Sequence, residues 1–345
     1  MTSPAGCGRH VDPRAAPPRR LRIQPGPIRS GRHVVPLDNP ARPGRAWQDR
    51  TMTQSIDTPP TPRTGFIGLG AMGAPMARHL HARGALVVVA NRTQSKAEAL
   101  ASELGVRVAR SADNFADCDV VALCVSLDAD VLENVAALAK VLKRGALVID
   151  HSTVSVQTAR RAAAMLAVEG IGFVDAPVSG GVEGARAGRL SIMAGGDEAA
   201  IEQARPVLEA YAARIAHMGD TGAGQATKSV NQVLVAGINE AVCEGLALAE
   251  KLGLDPERLI PTLMAGAAGN WFLDKRGATM LRDEFTPGFK SAHMLKDLRI
   301  VQQVARETGI RTTVLDQATA DYAELVERGH GDADTSALIR LKRGA

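Results

Sequence analysis

Residues 64–80 read TGFIGLGAMGAPMARHL: a short apolar strand, a glycine-rich turn and the opening of a helix. Gly68-Leu69-Gly70-Ala71-Met72-Gly73 matches G-x-G-x-x-G, a weak pattern by itself in a chain with 34 glycines among 345 residues. Its setting strengthens it. The glycines follow the strand directly and open a helix, and a second strand, ALVVVAN, ends about twenty residues later. This predicts a dinucleotide site. Gly68 makes the tight turn, Gly70 lets the backbone approach a pyrophosphate, and Gly73 allows close helix–strand packing. The helix N-terminus supplies N–H groups and a partial positive charge.

An Asp or Glu at the end of the second strand would grip the ribose 2′-hydroxyl of NAD. The chain instead has Asn91-Arg92-Thr93. An acid there would repel a 2′-phosphate, whereas Arg92 can fork onto one and Thr93 can donate to it, so NADP is preferred and NAD is the alternative. The plainer reading of Arg92 is a solvated loop residue.

Outward from this stretch, SKAEALASELG reads as a second helix, and VVALCVS, GALVIDHS and IGFVDAPV each end a further βα unit. Apolar strands without strict alternation predict a parallel sheet buried on both faces. Residues 64–222 are therefore expected to form a Rossmann-type, doubly wound α/β domain. Beyond it the strand signal disappears, and helical patterns near 224–252, 256–266, 271–281, 289–308 and 312–328 predict an all-α C-terminal domain over 223–345. Pro256, Pro261 and Pro287 are expected at helix starts or between helices.

The composition, 45% hydrophobic and 3% aromatic, suits a soluble globular protein packed with Ala, Val and Leu. Charged residues interrupt every apolar run before the roughly 18 residues of a membrane span, so no membrane is expected. Cys7, Cys118, Cys124 and Cys243 have neither metal-ligand spacing nor disulfide-scaffold density, which points to no metal and a reducing cytoplasm. The formal charge of +4 sits in the N-terminal stretch, where residues 1–51 hold arginines and no lysine, leaving the body slightly acidic. A nucleic-acid partner is therefore not expected. Residues 1–63 read as a basic Pro/Arg-rich arm, a targeting peptide, or translated upstream sequence with the start at Met52, and the prolines argue against the amphipathic helix of a transit peptide. A chain starting at Met52 is expected to keep its activity and melting temperature.

Two later stretches carry chemistry. In DAPVSGGVEGARAGRLSIMAGG, Ser179-Gly180-Gly181 lies just past a strand's carboxyl end, where successive N–H groups and a hydroxyl could cradle a carboxylate; the alternative is a Gly-rich surface turn. Thr153 in DHSTVS could serve a site or merely cap a helix. In GAGQATKSVNQ, residues 222–232, Lys228, Asn231 and Gln232 fall at i, i+3 and i+4 on the helix face that Val235 and Asn239 continue. That face is either wet, with a snorkelling lysine, or it lines a site.

Together, and in this order, GFIGLGAMGAPMARHL, DHSTVS, DAPVSGGVEGARAGRLSIMAGG, GAGQATKSVNQ and FKSAHMLKDLRI resemble the β-hydroxyacid dehydrogenase family over about residues 64 to 340. The resemblance implies that Lys228 is catalytic, that Asn231 is polar and functional, and that Ser179, Gly180 and Gly181 hold the substrate carboxylate. It implies further substrate contacts at Thr153, Phe289 and Asp297. Cofactor contacts are expected at Gly68, Leu69, Gly70, Ala71, Met72, Gly73, Asn91, Arg92, Thr93, Val125, Ser126, Thr153 and Lys296. Gln232 departs from the second Asn of many members and looks more like the tartronate semialdehyde reductases.

The expected reaction interconverts a small 3-hydroxy acid and its semialdehyde. A buried lysine beside the reacting oxygen could donate or accept the proton, its pKa lowered from about 10.4 toward 7–8. Alternatives are a reductase of a longer semialdehyde of the succinic type, or of an imine, against which the presence of Lys228 argues. A non-catalytic cofactor-binding sensor or a nucleic-acid-associated module is the alternative of another class. A homodimer or homotetramer follows by analogy.

Overall fold

The structure, a computed structural model, describes residues 61–344. Residues 1–60, with most of the basic arm and the start-site reading, lie outside the described residues.

The N-terminal region alternates strand and helix: β1 (Thr64–Ile67), α1 (Gly73–Ala82), β2 (Leu86–Ala90), α2 (Gln94–Leu104), β3 (Arg107–Val108), β4 (Val120–Leu123), α3 (Asp128–Leu138), β5 (Leu147–Asp150), α4 (Val156–Ala167) and β6 (Gly172–Asp175). It continues through β7 (Val178–Ser179), α5 (Gly181–Arg186), β8 (Leu190–Gly195), α6 (Glu198–Leu208) and β9 (Ala212–Gly219). The first six strands lie parallel in the order β3-β2-β1-β4-β5-β6, the Rossmann arrangement. Strands β1, β4 and β5 are buried at every residue because helices cover both faces. The pleat sends Phe66 into the cluster with Met76, Leu80 and Leu208, and Ile67 to the opposite cluster with Val131, Val135 and Leu166.

The sheet departs from the all-parallel expectation at one end. Strand β8 runs antiparallel to β6 and β7, and β9 returns parallel to β8. Only the six-residue α5 and its flanking turns separate β7 from β8, too little chain for a parallel crossover. Strand β9, AARIAHMG, gives no strand signal in the sequence because it sits at the sheet edge and buries no residue fully, so it needs no apolar run.

The C-terminal region is helical: α7 (Ala223–Lys251), α8 (Pro256–Met264), α9 (Trp271–Leu281), α10 (Ser291–Thr308), α11 (Thr313–Leu325) and α12 (Ile339–Lys342). Pro256 opens α8 behind the Asp255 cap, but Pro261 lies inside α8 and not at a boundary. This helix buries no residue fully, so solvent can satisfy the carbonyl that an interior proline leaves without a donor. Among the described helices α7 alone is long and apolar enough to cross a membrane. Here it serves as the axis of the domain core, packing Ala236, Cys243 and Leu246 against Met280, Leu298 and Tyr322. Its buried stripe includes Gln225, Lys228, Ser229, Gln232, Ala236 and Asn239, while Asn231 and Val235 lie at its half-buried edge. Asn239 is tied into the core, donating to the Tyr322 hydroxyl at 2.9 Å.

Candidate active site

At the end of β1 the glycine turn is sterically determined. Gly68 has φ +98°, and a Cβ there would lie 2.2 Å from the Cys124 carbonyl oxygen; a Cβ on Gly73 would lie 1.9 Å from that of Gly68. Around Gly70 nothing approaches within 4 Å of a built Cβ, so its surface is open. Met72 caps α1 without a side-chain bond; in the first turn Ala74 N donates to the Gly70 carbonyl at 3.1 Å and Pro75 has no N–H, which leaves the N–H of Gly73 at the helix opening. A turn closed on the protein side and open outward, beside an uncapped helix N-terminus, fits a dinucleotide pyrophosphate.

The second strand's end is put to two uses. Asn91 Oδ1 accepts from Leu69 N at 2.9 Å and its amide donates to the Thr93 carbonyl, so Asn91 fastens the glycine turn. Arg92 projects outward, its side chain 82% exposed, with Asp130 at 3.7 Å. Thr93 is the N-cap of α2, its hydroxyl making no cap bond. In the loop after β4, Val125 N donates to Ser152 Oγ at 2.9 Å, and Ser126 is exposed.

The second cluster gathers where the two regions meet. Gly180 (φ +128°) and Gly181 (φ +62°) both occupy left-handed backbone, turning the chain from β7 into α5. Lys228, buried on α7, donates from Nζ to the carbonyl of Val178 at 2.9 Å, immediately before Ser179. A continuous line of bonds runs from its helix to the β5–α4 loop. Asn231 Nδ2 donates to Gln232 Oε1 at 2.9 Å, and Gln232 Nε2 donates to Asp297 Oδ2 at 2.7 Å. Asp297 Oδ1 pairs with Lys296 Nζ at 2.9 Å, and Lys296 in turn donates to the Thr153 carbonyl. Thr153 is not a helix cap, since Ser155 caps α4 by accepting from Thr158 N. Phe289 stands apart from this line; its N–H donates to Asp334 at 3.1 Å and its ring packs against the C-terminal core.

Burial pushes the Lys228 ammonium down from its ordinary value; Asp297 opposes this and Lys296 adds to it. Burial also raises two carboxyls at the sheet's carboxyl edge, Asp150 to about 7 and Asp175 to about 6. His151 is lowered to about 4 by burial, hence neutral, between the Ala176 carbonyl and the Tyr211 hydroxyl. Among the described residues no group of three or more His, Cys, Asp and Glu is placed to hold a metal ion.

Sequence reasoning passes over three groups in this cluster. Gln225 and Asp175 appear in quoted stretches without a role, and Gln232 is placed on the lysine's helix face without the partner, Asp297, that it holds. The available signal for Gln225 is its spacing, one helical turn before Lys228 on the same face.

A Rossmann turn open to a dinucleotide, together with a buried lysine on the first helix of an all-α region, defines an NAD(P)-dependent oxidoreductase. Residues 63–219 match the model of the NAD-binding domain of 6-phosphogluconate dehydrogenase, and residues 222–342 that of the NAD-binding domain of NADP-dependent 3-hydroxyisobutyrate dehydrogenase. A probable 3-hydroxyisobutyrate dehydrogenase of Mycobacterium tuberculosis is 37% identical over 287 residues, 81% of this chain and 97% of that protein. An NAD-dependent L-serine dehydrogenase of Pseudomonas aeruginosa is 36% identical over 289 residues, 80% of this chain and 96% of that protein. The solved structure of the Mycobacterium tuberculosis 3-hydroxyisobutyrate dehydrogenase with L-serine superposes with a TM-score of 0.75 at 35% identity, covering 82% of this chain and 100% of that one. The chain belongs to the β-hydroxyacid dehydrogenase family, of the 3-hydroxyisobutyrate dehydrogenase type.

Proposed function

We propose that the protein interconverts a small 3-hydroxy acid and its semialdehyde, with Lys228 as the acid and base and NADP as the preferred cofactor. The observation that carries this reading is the placement of Lys228: buried, lowered in pKa, and held by the carbonyl immediately before Ser179. A bound nicotinamide supplies or takes the hydride. The residues of this chain do the remainder. Ser179, Gly180 and Gly181 hold the substrate carboxylate on hydroxyl and backbone N–H groups. Lys228 gives a proton to the substrate oxygen on reduction and takes it back on oxidation. Asn231, fixed by Gln232, orients that oxygen, and Thr153 and Asp297 complete the pocket.

The NADP preference rests on Arg92, exposed beside the uncommitted Thr93 hydroxyl. Its long contact to Asp130 is worth little at the surface, so a 2′-phosphate can displace it. The test is initial-rate measurement of 3-hydroxyisobutyrate, 3-hydroxypropionate, glycerate and L-serine with each cofactor. L-serine is included because it is a 3-hydroxy acid, because one of the relatives above is named for it and because a similar structure was solved with it. The expected result is oxidation of at least one acid with kcat/KM favouring NADP. No turnover of any, or turnover only of imines, would overturn the reading.

We infer a homodimer or homotetramer from α7, whose outer face exposes Val230, Leu234, Leu248 and Leu252, each more than half exposed. Leu234→Glu is expected to lower the mass measured by light scattering, and an unchanged mass would place the contact elsewhere.

A further inference from the structure

Asp175 ends β6 and is fully buried. Its carboxylate makes no salt bridge among the described residues. Its partners are the backbone N–H groups that open α7: Gly222 N donates to Oδ1 at 2.7 Å and Gln225 N donates to Oδ2 at 2.9 Å. A wholly buried carboxylate without a cation is costly, and the donors and positive end of a long helix are what compensate it here.

The fit around this contact admits no slack. A Cβ on Gly224 would lie 2.4 Å from the Met193 carbonyl oxygen and 2.5 Å from that of Asp175, and one on Gly195 would lie 2.6 Å from Asp175 Oδ1. The first turn of α7 thus meets the sheet's backbone directly. Gln225 adds a second strut: its Nε2 donates to the Ser152 carbonyl at 2.8 Å and its Oε1 accepts from Val154 N at 3.2 Å, bracketing Thr153.

From these contacts we propose that Asp175 and Gln225 are positioning residues for Lys228. One turn beyond them Lys228 reaches the Val178 carbonyl, three residues after Asp175. Residues 175–181 therefore fix two distances at once. Asp175 seats the helix that carries the lysine, and the turn at Ser179 to Gly181 seats the carboxylate. The separation between proton donor and substrate anchor is set within seven consecutive residues. This rests on Lys228 carrying the proton. An ill-seated helix would misplace the ammonium relative to Val178, Asp297 and Lys296, the groups that face it, and a displacement of about 1 Å can cost on the order of 10²-fold in rate.

The experiment compares Asp175→Asn, Gln225→Leu and Lys228→Ala by kcat, KM, cofactor Kd, the pH profile of oxidation, and amide hydrogen exchange over residues 222–228. Asp175→Asn keeps the shape but gives up the charge. It should lower kcat by about 10–100-fold, shift the ionising limb, and speed exchange in the first turn of α7, with cofactor Kd within about threefold of the parent. Gln225→Leu should show the same split more weakly. A kcat within twofold with an unmoved limb, or an equal loss of cofactor affinity, overturns the proposal. If Asp175→Asn does not fold, Gln225→Leu decides alone by the same criteria. If Lys228→Ala remains active, the proton assignment has failed, whereas the exchange data still report whether Asp175 seats the helix.

Discussion

At residues 68–73 the chain builds a site from backbone and empty space, whereas around Lys228 it builds one from buried polar side chains. The glycine turn owes its shape to close approaches that exclude any Cβ at Gly68 and Gly73. The lysine owes its place to its bond to the Val178 carbonyl, and its surroundings to Gln232, Asp297, Lys296 and Thr153, which come from three separate segments. The first arrangement is local and tolerant of its neighbours' chemistry. The second depends on partners far apart in sequence, each of which must be correctly protonated and correctly aimed.

The two ends should therefore fail differently. The largest effect is expected for Lys228→Ala, which should lower kcat by about 10²–10⁴ while cofactor Kd hardly changes, since the pyrophosphate turn is elsewhere. Lys228→Arg should not restore activity, because arginine cannot release its proton at working pH. Comparable losses in kcat and cofactor binding would erase the distinction between the two ends.

Gly68→Ala should do the reverse. Its side chain would strike the Cys124 carbonyl from a left-handed backbone, so cofactor Kd should rise by roughly 10–100-fold and stability fall by about 1–3 kcal/mol. Titration by cofactor fluorescence, with kcat measured at saturation, separates the two contributions. A variant with normal Kd would mean that the turn can relax.

A smaller effect, confined to one cofactor, is expected at the outer edge of the same end. Arg92→Ala should weaken NADP by about 1.5–3 kcal/mol and leave NAD unchanged. Equal losses for both would assign Arg92 to the fold.

The smallest effect is on stability. Burial lowers the Lys228 pKa in the folded chain, so folding binds fewer protons there than the unfolded chain does. The resulting destabilisation is fully present below the folded pKa and disappears as pH rises through the window between that value and about 10.4. Lys228→Met should thus gain stability relative to the parent at neutral pH, and the gain should shrink as pH rises through that window. Thermal melts at a series of pH values check the trend, and a constant difference would show that the lysine ionises as freely in the folded chain as in the unfolded one.

The same contrast explains how much could be read from the sequence. The glycine turn and the strands β1, β4 and β5 are legible because their requirements are steric and local. Lys228 and Ser179 to Gly181 are legible because their stretches stand in a characteristic order. Asp175 and Gln225 are not, since the bond between them spans 50 residues and a buried amide or carboxylate looks in sequence like a solvated one. Strand β9 escapes notice for the opposite reason: it lies at the sheet edge with no buried residue, so it carries no continuous apolar run. Asn91 shows a third case. Its place in the sequence suggests cofactor choice, yet its amide is spent on Leu69 and Thr93 and fastens the glycine turn.

Helix α7 has a mechanical consequence. Its first turn is seated by backbone and polar contacts on β6 and β8, and its later turns pack in the helical core against α9, α10 and α11, so one element ties the sheet to that core. There is no flexible linker at which residues 61–219 could part from the helices that follow, and unravelling either core removes support from the other. Denaturation should therefore run as a single transition, with near-ultraviolet and far-ultraviolet signals coinciding. Limited proteolysis should yield no stable half-molecule cut between Gly219 and Ala223.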